Sequence, residues 1–391
     1  MMNKIIYILL VMGFFFLPSL YLGYNNFNLA DCIFILAFLL MLLNIRNIKI
    51  SFDKKVLIAF LIFSIGFLLG LFKAYDLEVA LIGFIQNAFI FFILLPVLQL
   101  GIRNQKIMFQ LSMWFALGVI INSLILNLNY IGNINLFSLV NEGWNGRYSL
   151  GTYGPNIYAR LFCIAIIIYV HQLLNSKELM LKKLLRIFFI VNLTISLLLT
   201  GSLSGIILCL IGVSLIIALN LKSKISLKRI VYGAILLIVF ILLLSQTEVM
   251  KVNFYDKTFQ RFESIGKNDS SLSERTGLIR EGIQNIDENL IFGKGYNNYH
   301  YTSSYNRQIH NVPLLNLLEN GVFGAIGFLM LYLIPLSYTN ILKSNLSFIY
   351  VIGVIVLLAD MMQPNSYHRY LWVWILIIIV YKNNRLNKEG S

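Results

Sequence analysis

Five side chains able to bind phosphate or move a proton fall in two polar stretches of an otherwise apolar chain: Arg147 in the first, and Arg275, Arg280, Arg307 and His310 in the second. A guanidinium offers a planar fork of N–H donors that matches phosphate oxygens, and it cannot lose its charge. A neutral imidazole can take a proton from an attacking hydroxyl. His310 closes the longer stretch, immediately before a helix start. His368, beside Tyr367 and Arg369, is a second candidate and His300 a weaker third. Any one of these loop arginines also fits a solvated surface role, so their chemistry has to be judged as a group.

Two helix openings lie beside these residues. Pro155-Asn156 begins one apolar run, and Pro313 begins another. Proline suits the first turn of a helix, whose unpaired N–H groups and positive dipole end favour an anion. The same prolines equally serve to start helices with no ligand. Arg160 sits about one turn inside the first of these runs, where a cation must pair or line a polar cavity. Its expected partner is Glu319, at similar depth in the other run, with Asn316 and Asn320 on the same helix side. That pair reads either as a structural ion pair or as a substrate contact.

The elements that must position these groups are membrane helices. Hydrophobic residues make up 58% of 391 positions and charged residues 12%, with mean hydropathy +0.78. A soluble domain of this size needs more surface charge. Apolar runs of about 17–25 residues, each enough to cross a bilayer, recur near 5–24, 27–45, 56–72, 79–101, 107–128, 156–174, 187–201, 203–221, 230–246, 312–336, 346–362 and 370–381. The expected fold is therefore an all-α polytopic membrane protein with twelve spans, the first retained and not a cleaved signal. Basic clusters between spans, such as Arg46 to Lys55 and Lys177 to Arg186, all fall on one side. This places both termini in the cytoplasm. The same rule accounts for the net charge of +14 without a nucleic-acid partner. Cys32, Cys163 and Cys209 lie in apolar spans and are expected as free thiols.

Residues 1–391 then form one integral membrane domain with two outer-side loops, 129–155 and 247–311. The longer balances eight Lys/Arg against eight Asp/Glu, so its arginines are not a simple electrostatic patch. Its length calls for internal structure or a function. Ser271-Leu-Ser-Glu274 matches a capping box, and Ile279, Ile283 and Ile286 follow at helical spacing. Arg275, one turn before Ile279, should point inward. The chain has no P-loop, HExxH, CxxC, outer-side Asp-x-Asp or Gly-x-Ser-x-Gly, so a metal, nucleotide or serine-nucleophile mechanism lacks its parts.

The order of these motifs resembles the O-antigen ligase / O-antigen polymerase superfamily over roughly residues 145–330. Arg147 followed by Gly151-Thr152-Tyr153-Gly154-Pro155-Asn156 is similar to that family's arginine–glycine–Pro-Asn signature. Thr200-Gly201-Ser202-Leu203-Ser204-Gly205 is similar to its Thr-Gly-Ser-Arg-Ser-Gly hairpin, with leucine where arginine is common. Arg275, Gly293-Lys294-Gly295-Tyr296 and His310-Asn311 through Glu319-Asn320-Gly321 resemble its large-loop signature, without the tryptophan that often follows the arginine.

The resemblance implies a membrane-glycosyltransferase (GT-C-like) fold in the bacterial cytoplasmic membrane with its site on the outer face. It also implies metal-independent, inverting transfer of a glycan from undecaprenyl diphosphate to a sugar hydroxyl, with no cofactor. Arg147 and Arg275 become diphosphate clamps and His310 the base. Arg160, Arg280, Arg307, Glu319, Asn311, Asn156, Tyr296 and His368 become substrate contacts, and membrane lipid and a chain-length regulator become partners. Polymerase is the leading reading and ligase the runner-up. A flippase would need charge through the whole depth of the bundle. A receptor or scaffold would tolerate separate loss of Arg147, Arg275 and His310.

Overall fold

The computed structural model describes residues 2–19, 23–24, 27–43, 53–132, 134, 139–143, 147–151, 153–175, 179–221, 270–362 and 368–389. It is an all-α membrane protein whose helices follow the apolar runs. These are α1 (Met2–Phe16), α2 (Leu29–Leu42), α3 (Lys54–Leu71), α4 (Leu77–Gly101), α5 (Gln105–Gly132), α6 (Pro155–Asn175), α7 (Met180–Leu199) and α8 (Leu203–Leu221). After them come α9 (Ser270–Gln284), α10 (Val312–Leu336), α11 (Ser347–Asp360) and α12 (Arg369–Glu389). A helix stands in every expected span except 230–246, which lies outside the described residues, as does the loop portion 247–269. Among the described residues, six helices are long and apolar enough to cross a membrane. The first expected span is shorter than 5–24: its helix ends at Phe16, before a small antiparallel hairpin that pairs Gly23–Tyr24 with Phe27–Asn28.

Short polar side chains start several of these helices. Asn28 and Asp31 form a reciprocal capping box on α2. Asp53 accepts from the Lys55 N–H at 2.9 Å, Asp76 from Val79 at 3.1 Å and Asn311 from Leu314 at 3.0 Å. Each satisfies an N–H that the helix itself leaves unpaired, worth about 1 kcal/mol. A second hairpin pairs Val140–Gly143 with Arg147–Leu150 and delivers the chain to Pro155.

Helices α3 and α10 pack at backbone distance. A Cβ built on Gly66 would lie 2.2 Å from the Gly324 nitrogen, and one on Gly327 2.4 Å from the Phe63 nitrogen. Between membrane helices the gain comes from close van der Waals contact, and small residues allow it. Helix α6 meets α8 in the same way, with Gly205 against Ala159.

Helix α10 is broken at Gly321, where φ is +66° and ψ −170°. The break frees carbonyls inside the bundle, and the segment 290–295 supplies their donors. Lys294 N–H donates to Leu318 O at 2.9 Å, and Gly295 N–H to Glu319 O at 2.8 Å; Val322 N–H in turn reaches Leu290 O at 2.7 Å. Gly293, at φ +68°, passes so close to Glu319 that any side chain would collide with its backbone. The Gly293-Lys294-Gly295 motif is thus a backbone splint for a broken helix.

Helix α9 forms, but it starts at Ser270, one residue before the Ser271 expected as its cap, and Glu274 of the expected capping box pairs with Arg307; the side chains of 271–273 lie outside the described residues. Its buried face is corrected in one respect. Ile283 is 57% exposed, and Leu278, Ile279, Gly282 and Ile286 face inward, against Tyr299, Ile309, Leu314 and Leu318. Arg275 lies one turn before Leu278 and Ile279 on that half-buried side, as its spacing predicts.

The α3–α10 contact predicts an asymmetric response to one methyl group. Gly66→Ala should destabilise the protein by about 1–3 kcal/mol through overpacking. Gly154→Ala, where an added Cβ has no neighbour within 4 Å, should leave it unchanged. Thermal unfolding of both variants in detergent checks this.

Candidate active site

Two linked clusters of sequence-predicted residues meet along one face of α6. The first is built on Arg147. Its Nε donates to Thr200 O at 2.9 Å and its Nη2 to Asn156 Oδ1 at 2.5 Å. Ser202 Oγ donates to the same Asn156 oxygen at 2.8 Å and shares a 3.3 Å contact with Ser204. The turn at Gly201 has φ +56°, and a Cβ there would lie 3.2 Å from Arg147 Cγ. The Thr-Gly-Ser turn between α7 and α8 is therefore the seat on which this guanidinium rests. At least two of its five N–H donors are fixed by protein oxygens, which sets its plane.

One turn further into α6 lies Arg160, only 4% exposed. Residues four apart share a helix face, so Asn156 and Arg160 are neighbours. The expected pairing of Arg160 with Glu319 does not form. Glu319 Oε1 accepts from Tyr299 N–H at 3.2 Å, and the N–H groups of Asn297 and Asn298 also point at this carboxylate. It serves the segment that splints α10, to which it is adjacent in space. The acid within the field of Arg160 is Asp360, at the end of α11, which accepts from Tyr332 Oη at 2.6 Å.

His310 joins the two outer-loop arginines of interest. Its ring is half-buried, donates to the Met362 carbonyl, and feels the charges of Arg275 and Arg160. Burial first, then Arg275, lowers its pKa from the ordinary 6.5 to about 4; Met362 and Glu274 oppose the shift and Arg160 adds to it. The protonated form is the one disfavoured, so the ring is neutral at pH 7. Its Nδ1 is buried with no hydrogen-bond partner among the described residues. A neutral imidazole with a vacant acceptor nitrogen can accept a proton from a hydroxyl. Arg275 is half-buried, and among the described residues no carboxylate lies within ion-pair reach of it.

His368 is buried beside this cluster. Burial first, then the Arg160 and Arg369 charges, holds its pKa well below the usual imidazole range. Arg369 reaches Asp31 at 2.6 Å, which ties the start of α12 to α2. These groups therefore surround one polar region at one end of the bundle.

Other sequence-predicted contacts are placed elsewhere. Arg307 forms a 2.7 Å ion pair with Glu274 while 65% exposed. Arg280 is exposed, five residues beyond Arg275 and so turned off its face. Asn311 is occupied as the α10 cap. Tyr296 is a core ring, its centroid 4.8 Å from that of Phe67. His300 stacks on Tyr301 with centroids 4.0 Å apart. Asp360, Tyr332, Thr200 and Ser202 were not singled out for the site from sequence. A carboxylate near the end of an apolar run was the available signal for Asp360.

Comparison with known proteins covers part of the chain. No curated protein matches it. Residues 188–329 match the family model described as O-antigen ligase, a segment that contains the Thr200 turn, Arg275, His310 and Glu319 and leaves Arg147, Asn156, Arg160 and His368 outside. Over that segment the chain is similar to the O-antigen ligase family.

Proposed function

We propose that the chain is a polysaccharide repeat-unit polymerase. It moves a glycan from an undecaprenyl-diphosphate carrier to the non-reducing-end hydroxyl of another lipid-linked repeat unit. The observation that carries this reading is the convergence of Arg160 from α6, Arg275 from α9 and a neutral His310 from the segment entering α10. The family match supports glycan chemistry on a lipid-linked substrate. The wider frame of the proposal is a GT-C-like fold of twelve spans with both termini cytoplasmic, in the bacterial inner membrane. Its site opens to the outer side.

In the transfer, the acceptor oxygen bonds to the anomeric carbon as the bond from that carbon to the diphosphate oxygen breaks. The acceptor proton passes to His310 Nδ1. The leaving diphosphate gains charge, which Arg147, held by Thr200 and Asn156, and Arg275 meet with guanidinium donors. Fixed donors need no reorganisation at the moment of reaction, so no metal enters the step. The arriving diphosphate also neutralises the arginines that depress His310. Its pKa therefore rises when substrate binds, and the base gains strength only in the loaded site. A ligase, passing the glycan to a lipid or protein acceptor, would use the same donor chemistry; the description of the matched family favours it as the second reading.

Purified protein given lipid-diphosphate repeat units and a chelator should yield a ladder of products. Transfer only to a second class of acceptor would assign the ligase, and no transfer would refute both. Arg275→Ala and Arg147→Ala should each abolish polymer and leave single repeat units on the carrier at unchanged protein level. His310→Ala should slow transfer by about 10²–10⁴; a loss below tenfold would remove it as the base. The acid limb of kcat/KM, which reports the free enzyme, should fall near pH 4, and the limb of kcat should lie higher. Both limbs near the ordinary imidazole value of about 6.5 would contradict the coupling.

A further inference from the structure

A polar cavity lies at the other end of α6 from Arg160. Its volume is about 450 Å³, and Lys106, Arg186, His171, Gln172, Asn175 and Phe109 are among the residues that line it. Gln172 is twelve residues beyond Arg160, or about 18 Å along the helix axis at about 1.5 Å per residue. It is therefore separate from the candidate active site. No carboxylate lines the cavity among the described residues, although two cations do.

The bland account of Lys106 and Arg186 is that they merely set topology, as loop cations do. The walls indicate more than that. His171 Nε2 is 3.0 Å from the Asn345 carbonyl, and its Nδ1 is 3.2 Å from Asn175 Nδ2. Both ring nitrogens are thus engaged, and the ring braces the cavity in neutral form. Gln172 is buried, and its Nε2 is directed to Met113 Sδ. That leaves Gln172 Oε1 a buried acceptor with no hydrogen-bond partner among the described residues. A site with two cations and one vacant acceptor fits a phosphate that carries a hydroxyl or amine donor next to it.

The helix that supplies Arg186 indicates what bears that phosphate. Its first turns expose Met180, Leu181, Leu184, Leu185 and Phe188. An apolar face beside a cationic pocket matches an amphiphile, with chains along the helix and headgroup in the hole. We propose that this cavity is a binding site for the headgroup of an anionic phospholipid, distinct from the site of glycan transfer.

The test uses the full-length protein, stripped of lipid in neutral detergent, with three probes: phosphatidylglycerol, phosphatidylcholine and inorganic phosphate. Retained lipid is counted by native mass spectrometry, and phosphate is read by thermal shift. Phosphatidylglycerol should be retained over phosphatidylcholine. Each cation near a lipid surface contributes about fivefold, so Lys106→Gln should weaken retention about fivefold and Lys106→Gln with Arg186→Gln about 25-fold. Lys106 is exposed, so the single variant tests the site even where the double variant fails to fold. Equal retention of phosphatidylglycerol by wild type and Lys106→Gln would overturn the proposal. So would a stabilisation by phosphate that Lys106→Gln abolishes without any preference between the lipids, since a free anion would then be the occupant.

Discussion

A guanidinium held almost entirely out of water, Arg160, sets the conditions that the rest of the bundle must meet. A charge in an apolar interior is costly unless opposite charge or hydrogen-bonding groups face it. The chain meets that requirement from several helices at once. Asp360 at the end of α11 lies within its field, and Tyr332 of α10 holds that carboxylate by a 2.6 Å hydrogen bond. His310 and His368, at the entries to α10 and α12, feel the same charge. Because each of these groups sits at or near a helix end, the ends have to converge. The polar region exists where the helices stop, and the apolar faces below it keep them together.

The broken helix α10 turns that convergence into a fixed geometry. A straight helix through Gly321 would satisfy its own carbonyls and leave the outer loop with nothing to hold. With the break, Leu318 and Glu319 present oxygens that the 290–295 segment must cover, and the Glu319 side chain then gathers the N–H groups of residues 297–299. Asn298 extends the clasp to the start of α4, accepting from Asp76 N–H at 2.6 Å. Glu281 of α9 binds Ser303 Oγ at 2.9 Å and Ser304 N–H at 2.7 Å. Arg275 and His310 flank this clasped segment, one on α9 and one on the strand of chain entering α10.

Much of this was legible in the sequence because it depends on short-range pattern. Apolar runs gave the helices, and Pro155 and Pro313 marked two of their starts. The inward side of Arg275 followed from its spacing to Ile279. What was not legible depends on which helix lies beside which. Arg160 and Glu319 look like partners by depth alone, yet the fold turns Glu319 toward its own loop and sets Asp360 near Arg160. The Gly293-Lys294-Gly295 motif enters the sequence reading only as part of a family signature; its work on a broken helix becomes visible only with Gly321 at positive φ. Arg147 presents the opposite case. The motif placed it near Asn156, and the structure adds the Thr200 carbonyl that orients it.

The central claim is that fixed guanidinium groups, without a divalent ion, hold a diphosphate at this end of the bundle. Equilibrium binding of a lipid diphosphate in excess chelator, beside the same lipid as a monophosphate, tests it most directly. The account predicts tighter binding of the diphosphate, and a loss of about 1.5–3 kcal/mol, or about 10–100-fold, when Arg275→Gln removes one charged hydrogen-bond donor. Equal affinity for the two lipids, unaltered in Arg275→Gln, would contradict it.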